Sequence, residues 1–258
     1  MDKKTLMQIK INREVMKGHG DYSPETDQSA GLPQPPLYVE REYLRVFKLP
    51  SDHTECITSN NLFEILNNRR SKRAFAEQSL TLEELSWLLW ITQGERSVIG
   101  KRNKASMRSV PSAGARQPLE TYLLINKVEG LERGLYHYIP SGHKLGYIGT
   151  KENLTEEATY AFGGQSFFAE APVGFIWAAV PYRTEWRYAL QAQKYALLDA
   201  GHVCENLYLA AASIGCGTCA IGAYRQKESD ALLGLDGSES DAQDQQFVIY
   251  AAALGKAE

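Results

Sequence analysis

Apolar residues recur along this chain with two different periods, and the change from one to the other predicts an α+β domain. Over residues 81–94, Leu85, Leu88, Leu89 and Thr92 follow helical spacing. Thr81 with Glu84 three residues on forms a capping box at the start, and Gly94 stops the helix. A shorter helix is expected from Asn61 to Leu66, ending at Arg69-Arg70-Ser71. Over 187–214 the pattern is helical again. After Tyr195 it is apolar nearly all round (Leu197, Leu198, Ala200, Val203, Leu207, Leu209), which predicts a helix buried on every side. β-Branched and aromatic residues cluster at 121–126, 134–139 and 172–180, and 246–254 reads as a closing buried strand. The expected architecture is a mixed or antiparallel sheet around a long central helix.

Residues 1–60 read as an N-terminal extension, with the packed domain over 61–258. Lys3, Lys4, Lys10, Arg13 and Lys17 punctuate a weak helical segment. Pro24, Pro33, Pro35 and Pro36 then fix φ and remove backbone donors, so 20–40 should run as an extended arm. Residues 95–112, with Arg96, Lys101, Arg102, Lys104 and Arg108, read as a polar basic loop.

Composition narrows the functional classes. At 258 residues, 43% hydrophobic and 23% charged, the chain fits an ordinary globular protein. Lys+Arg 28 against Asp+Glu 31 gives a net charge of -3, so no global basic field exists for nucleic acid or an anionic membrane. The most apolar stretch, 195–215, is interrupted by Asp199, His202, Glu205 and Asn206, which argues against a membrane span. Four cysteines are too few for a disulfide scaffold, and the N-terminus lacks the apolar run of a signal peptide. A cytoplasmic protein is expected.

Three segments could carry chemistry. Arg69-Arg70-Ser71-Lys72-Arg73-Ala74-Phe75 concentrates cations and a hydroxyl where a phosphate could bind, although the same residues suit a solvated helix C-terminus. Pro111-Ser112-Ala113-Gly114-Ala115-Arg116-Gln117-Pro118 could let a planar ligand approach the backbone, or be a plain loop. Gly215-Cys216-Gly217-Thr218-Cys219-Ala220-Ile221-Gly222-Ala223 follows a helix instead of a strand, so it is not a dinucleotide-binding loop. Its Cys-x-x-Cys, with His202-Val203-Cys204, only loosely echoes a zinc deaminase: Cys204 stands where that pattern needs a glutamate, and the gap is short. Buried small residues are the better reading, and no metal is expected. His137, on an apolar strand, reads as packed or hydrogen-bonded, and Trp87, Trp90, Trp177 and Trp186 read as core.

Taken in order, the Arg-x-Ser-x-Arg-x-Phe turn, the Pro-Ser-Ala-Gly-Ala-x-x-Pro-Leu-Glu loop and the Ala-rich helix ending in Gly-x-Gly-Thr-Cys-x-Ile-Gly-Ala resemble the FMN-dependent nitroreductase superfamily. The wording of Pro111–Ala115, Asp199–Val203 and Gly217–Ala223 is similar to its SagB/ThcOx-like branch, which includes dehydrogenases that oxidise azolines in modified peptides. The resemblance covers roughly residues 60–255 and implies a nitroreductase-like fold and a homodimer with FMN at the subunit interface. It places Arg69, Arg70 and Ser71 at the FMN phosphate and ribityl chain, and Arg73 at the N1/C2=O edge. Pro111, Ser112 and Ala113 would approach the flavin from the partner subunit, and Gln117 of the same loop would offer the cofactor a polar contact. Ala220, Ile221 and Gly222 would lie near N5, with the Gly222 N–H at the hydride-accepting atom. Family members often carry an acidic residue at the position of Gly222 and two further cations after the last strand. Here that strand is followed only by Lys256, so the phosphate would rest mainly on the arginine turn. Lys194-Tyr195 is in a place comparable to a Lys-Tyr pair of the azoline-oxidising relatives, a candidate acid/base pair or else a surface Lys beside a core Tyr. The implied activity is hydride transfer through flavin N5, either from NAD(P)H to a nitro or quinone acceptor or, in the SagB-type direction, from a peptide heterocycle. A non-catalytic flavin-binding scaffold or sensor is the alternative.

Overall fold

The structure is a computed structural model and describes residues 1–18, 24–235 and 243–257. Its strands are β1 (Arg45–Lys48), β2 (Glu95–Ile99), β3 (Ala105–Arg108), β4 (Leu119–Ile125), β5 (Gly134–Ile139), β6 (Lys144–Gly149), β7 (Val173–Ala179), β8 (Cys216–Ile221) and β9 (Phe247–Lys256). Its helices are α1 (Lys3–Lys17), α2 (Leu62–Asn68), α3 (Leu82–Gln93), α4 (Leu154–Ala161), α5 (Ser166–Ala169), α6 (Tyr182–Tyr188), α7 (Ala192–Ser213) and α8 (Gln226–Leu233). One sheet runs in the order β1-β6-β5-β4-β7-β9-β8, and each neighbouring pair is antiparallel.

Both faces of this sheet are buried, so β4 and β7 are buried at every position rather than alternately, and the polar residues they carry, such as Glu120, must find partners inside. In β4, Leu123 and Ile125 join a core with Leu85, Leu88 and Leu89 of α3 and Val203, Leu207 and Ala211 of α7. Tyr122 and Leu124 point the other way, into a core with Leu154 and Ala158 of α4, Phe168 of α5 and Leu232 of α8. The α+β architecture with a long helix on the sheet agrees with the sequence reading. The capping box of α3 forms as expected, with Thr81 and Glu84 each satisfying the other's backbone N–H.

Three local expectations need correction. The stretch expected as a basic loop is in large part the β2–β3 hairpin, with Ile99 opposite Ala105. The helix expected over 187–214 is broken at Ala189, whose φ of 44° is incompatible with a helix, so α6 and α7 are separate. Finally, α7 is not buried on every side of the protomer: Leu197 and Leu198 are 62% and 52% exposed.

Residues 24–44 are irregular, as prolines dictate, and are pinned along their length. The Gln28 N–H donates to Trp186 O, Trp186 Nε1 donates to Leu32 O, Gln34 brackets the Lys104 backbone, and Tyr38 Oη donates to Glu95. The arm then enters the sheet as β1, the edge strand beside β6.

Candidate functional site

The cationic turn is built where α2 ends against the edge of the sheet. The Arg69 N–H closes the helix on Ile65 O. Ser71 makes a bridge to Thr218 of β8, and the Lys72 N–H donates to Thr218 O at 2.9 Å. Gly217 permits this approach, since a Cβ there would come within 2.6 Å of the Lys72 side chain. Tyr208 of α7 ties the pieces together: its hydroxyl lies 3.0 Å from Ser71 Oγ and accepts the Ala220 N–H at 2.9 Å. The Arg69 guanidinium lies over the Tyr208 ring, 5.1 Å from its centroid.

A cavity of about 210 Å³ opens here, lined by Arg69, Arg70, Lys72, Tyr208, Gly215 and Gly217 among others. Arg70 donates to the Asn67 and Arg69 carbonyls. Among the described residues, no carboxylate lies within ion-pair distance of Arg69, Arg70, Lys72 or Arg73. Uncompensated cations around a glycine-walled cavity suit an anionic group such as a phosphate. Arg73 lies a little further on, its guanidinium 5.9 Å from the Phe167 ring.

The 111–117 loop is held elsewhere on α7. Ser112 Oγ donates to Asp199 Oδ2 at 2.6 Å, the Ala113 N–H donates to Asp199 Oδ1 at 3.1 Å, and the Gln117 N–H donates back to Ser112 Oγ. Asp199 is 4% exposed; burial raises its pKa, against these hydrogen bonds, which lower it. Pro111 is exposed, whereas Gln117 is buried and its amide donates to Ser106 O at 3.4 Å. Asp199 and Tyr208 stand nine positions apart on one helix, about 13 Å along its axis. The loop and the cationic turn are therefore held at separate stations of α7 within one protomer.

Gly222 follows β8 and is exposed, with no atom within 4 Å of where its Cβ would be. Ala220 and Ile221 are the last residues of β8. Tyr195 donates to Gln191 and packs edge-on against Tyr188, while Lys194 is half-buried with no partner within hydrogen-bond distance among the described residues. The Lys256 ammonium is paired with Glu84, the carboxylate that caps α3.

Cys216 and Cys219 lie on β8, three positions apart and so on opposite faces of the strand. They cannot converge on one ion or one bond. Burial pushes the Cys216 thiol up to about 12 and raises that of Cys219. His137 is hydrogen-bonded, as expected, between Glu120 and Tyr43. Tyr208 and Asp199, which organise the two stations, were not separable from core residues by periodicity. Asp199 registers in the sequence as a polar interruption of an apolar helix and as the first residue of the Asp199–Val203 wording, neither of which assigns it a role, and Tyr208 as another apolar position.

Comparison with known proteins adds a family. The model described as "Nitroreductase family" matches residues 66–256. The protein MJ1384 of Methanocaldococcus jannaschii, which carries a nitroreductase name, is 37% identical over 174 residues, 67% of this chain and 84% of that one. The trifolitoxin-processing protein TfxB of Rhizobium leguminosarum bv. trifolii is 31% identical over 113 residues, 42% of this chain and only 30% of TfxB. A crystal structure from Ralstonia eutropha JMP134, also bearing a nitroreductase name, superposes with a TM-score of 0.66 at 25% identity, covering 88% of this chain and 95% of that one. A chain of the E. coli microcin synthetase McbBCD complex with truncated pro-MccB17 bound gives 0.57 at 18% identity over 100% of this chain and 95% of its own, a likeness of fold.

Proposed function

Because the chain belongs to the nitroreductase family, we propose that it is an FMN-dependent oxidoreductase working as a homodimer, with one flavin site at each end of the subunit interface. The observation that carries this reading is the cavity bounded by Arg69, Arg70 and Lys72, whose cations meet no carboxylate among the described residues. FMN, when bound, supplies reversible hydride acceptance at N5.

The residues divide the work as follows. Arg69 and Arg70, with Lys72, would hold the phosphate, and Ser71, fixed by its bond to Tyr208, would meet the ribityl chain. Arg73 places a positive charge at the N1/C2=O edge, where negative charge accumulates on hydride transfer. The Gly222 N–H would be the donor offered to N5, and the open space over Gly222 would leave room for a second ring. Lys256 is engaged by Glu84, so it contributes to the phosphate site only if that pair opens.

The other wall of each site comes from Pro111, Ser112 and Ala113 of the partner subunit; Gln117, buried and bonded to Ser106 and Arg183 within its own protomer, holds the loop instead of presenting a side chain to the flavin. Two features support this. Within one protomer the loop is held away from the cationic turn, and Leu197 and Leu198 are exposed on α7 immediately before Asp199, beside the station that holds the loop. A second copy would cover those leucines and bring the missing wall.

For the donor and acceptor, the nitroreductase-like reading has NAD(P)H reducing the flavin and a nitro compound or quinone oxidising it. The likeness to a trifolitoxin-processing protein supports a second reading, a SagB-type dehydrogenase that oxidises a heterocycle in a modified peptide. In that direction Lys194 and Tyr195 are the proton-handling candidates, since Lys194 lacks a partner among the described residues. Rapid mixing with NADPH tests the first reading. Prompt bleaching of the flavin band supports a nitroreductase-like enzyme. No bleaching with NADPH, but bleaching with a heterocycle-bearing peptide, supports the second. No bleaching with either would make the protein a flavin-binding scaffold or sensor.

A further inference from the structure

We infer that the N-terminal arm is a positioning device for the 111–117 loop, acting through the buried guanidinium of Arg183. The importance of this loop for flavin rests on the function proposed above, but the coupling itself does not.

The loop needs outside support. Ala115 and Gln117, neither of them glycine, sit at φ of 51° and 50° beside Gly114 at 54°. Side chains of L-residues occupy that region only where the surroundings over-determine it. Asp199 supplies one anchor, at the start of the loop. Arg183 supplies the other, at its end: Nη1 donates to Gln117 O at 3.2 Å.

Arg183 is 3% exposed and serves three elements at once. Its Nε donates to Pro36 O of the arm at 3.1 Å, and Nη1 lies 2.6 Å from Glu120 Oε1 of β4. The rigid fork of a guanidinium holds these acceptors in one fixed arrangement. Glu120 Oε2 also accepts from His137 Nε2 at 2.9 Å, and His137 Nδ1 in turn accepts from Tyr43 Oη at 2.7 Å. The arm therefore touches the buried ionic cluster at both ends, through Pro36 and through Tyr43.

The contact at Tyr43 is made to measure. Its ring lies over Gly146 of β6, where a Cβ would come within 2.3 Å of it, and it stacks beside His137. The arm also fixes α6, the helix that carries Arg183. Tyr182 Oη donates to Asp27 at 2.8 Å, and Trp186 exchanges backbone and indole hydrogen bonds with Gln28 and Leu32. Loosening the arm thus releases the anchor of the loop, although the arm and the loop are far apart in sequence.

Amide hydrogen exchange on the full-length chain tests this directly, using two variants. Tyr43→Phe removes one hydroxyl from the arm and nothing from the loop. Arg183→Lys keeps the charge beside Glu120 but loses the fork. In both, the amides of residues 112–117 are expected to exchange about threefold faster or more, the scale of coupling within one hydrogen-bond network. FMN titration should show its Kd raised by a similar factor. Unchanged exchange at 112–117 in Tyr43→Phe overturns the inference, whether or not the arm itself loosens and whether or not Arg183→Lys folds. If the unmodified protein takes up no FMN, the proposed cofactor fails, while the exchange rates still decide the coupling.

Discussion

Ser112 donates its hydroxyl proton to Asp199 across 2.6 Å, tying the start of the 111–117 loop to the long helix α7. The same carboxylate accepts the Ala113 N–H, so one buried side chain satisfies two donors of the loop. Because Tyr208 on the same helix fixes Ser71 and Ala220, α7 is the common ruler from which both halves of the proposed site are measured.

Asp199→Ala should therefore cost more than a surface substitution. It leaves the Ser112 hydroxyl and the Ala113 N–H without their acceptor, a loss of about 1–3 kcal/mol. Thermal denaturation is expected to show a lower Tm, and FMN titration a weaker affinity. Asp199→Asn, which can still accept one of the two bonds, should fall between the variant and the parent.

Removing the charge of the cationic turn should remove the cofactor. Arg69→Ala combined with Arg73→Ala is expected to purify colourless while remaining folded, since among the described residues neither guanidinium makes a hydrogen bond or an ion pair and each lies over an aromatic ring. Absorbance at the flavin band relative to protein checks it. Retention of full flavin would show that the turn is not the phosphate site.

How far the sequence foretold this structure differs from element to element. Helix α3 was legible to the residue because its cap is local chemistry between Thr81 and Glu84. The strands β4, β5, β7 and β9 were legible because β-branched and aromatic residues mark them. Strand β8 was not: Cys216-Gly217-Thr218-Cys219 has the small residues of a loop, and only pairing with β9 makes it a strand. The β2–β3 hairpin was hidden by its exposure, since Arg96, Lys101 and Arg102 gave it the composition of a loop. In the site, the arginine turn and the Ser112 loop were legible as motifs. Arg183 was not, because its role comes from where Pro36 of the arm meets Gln117 and Glu120, and both Pro36 and Arg183 lie scores of residues from that pair.

Acid should destabilise the fold in two windows. Burial first, and then the neighbouring His53 charge, hold His143 down at about 4 from 6.5, and Tyr138 and Ser86 complete its hydrogen bonds. A histidine kept neutral by the fold stabilises it fully above 6.5, and that contribution falls away as pH drops toward 4, a loss on the order of 3 kcal/mol. Burial raises the Glu120 carboxyl, but Arg183 first and then His137 override this and hold it at about 2 against 4.5. Its contribution is present above 4.5 and lost as pH falls from there toward 2. Denaturation midpoints measured from neutral pH downward should decline in the first window for the parent protein. In His143→Asn, which tolerates the positive φ at that position, the curve should be flatter there.

Gly146→Ala is expected to be disproportionately disruptive for a single methyl group. The new Cβ would meet the Tyr43 ring at 2.3 Å, so either the arm lifts or β6 shifts. Limited proteolysis should then cut within residues 24–44 faster than in the parent. Gly130→Ala serves as the control, because no atom lies within 4 Å of its Cβ position, although its φ of 76° makes it mildly strained. Equal resistance of the Gly146 variant and the parent would mean the arm does not depend on that seat.

The most direct test is size-exclusion chromatography of the protein after incubation with excess FMN, read by light scattering and by absorbance at about 450 nm. The proposed function predicts a species of twice the chain mass that carries flavin through the column at one per subunit. A species of single-chain mass that elutes colourless would contradict it.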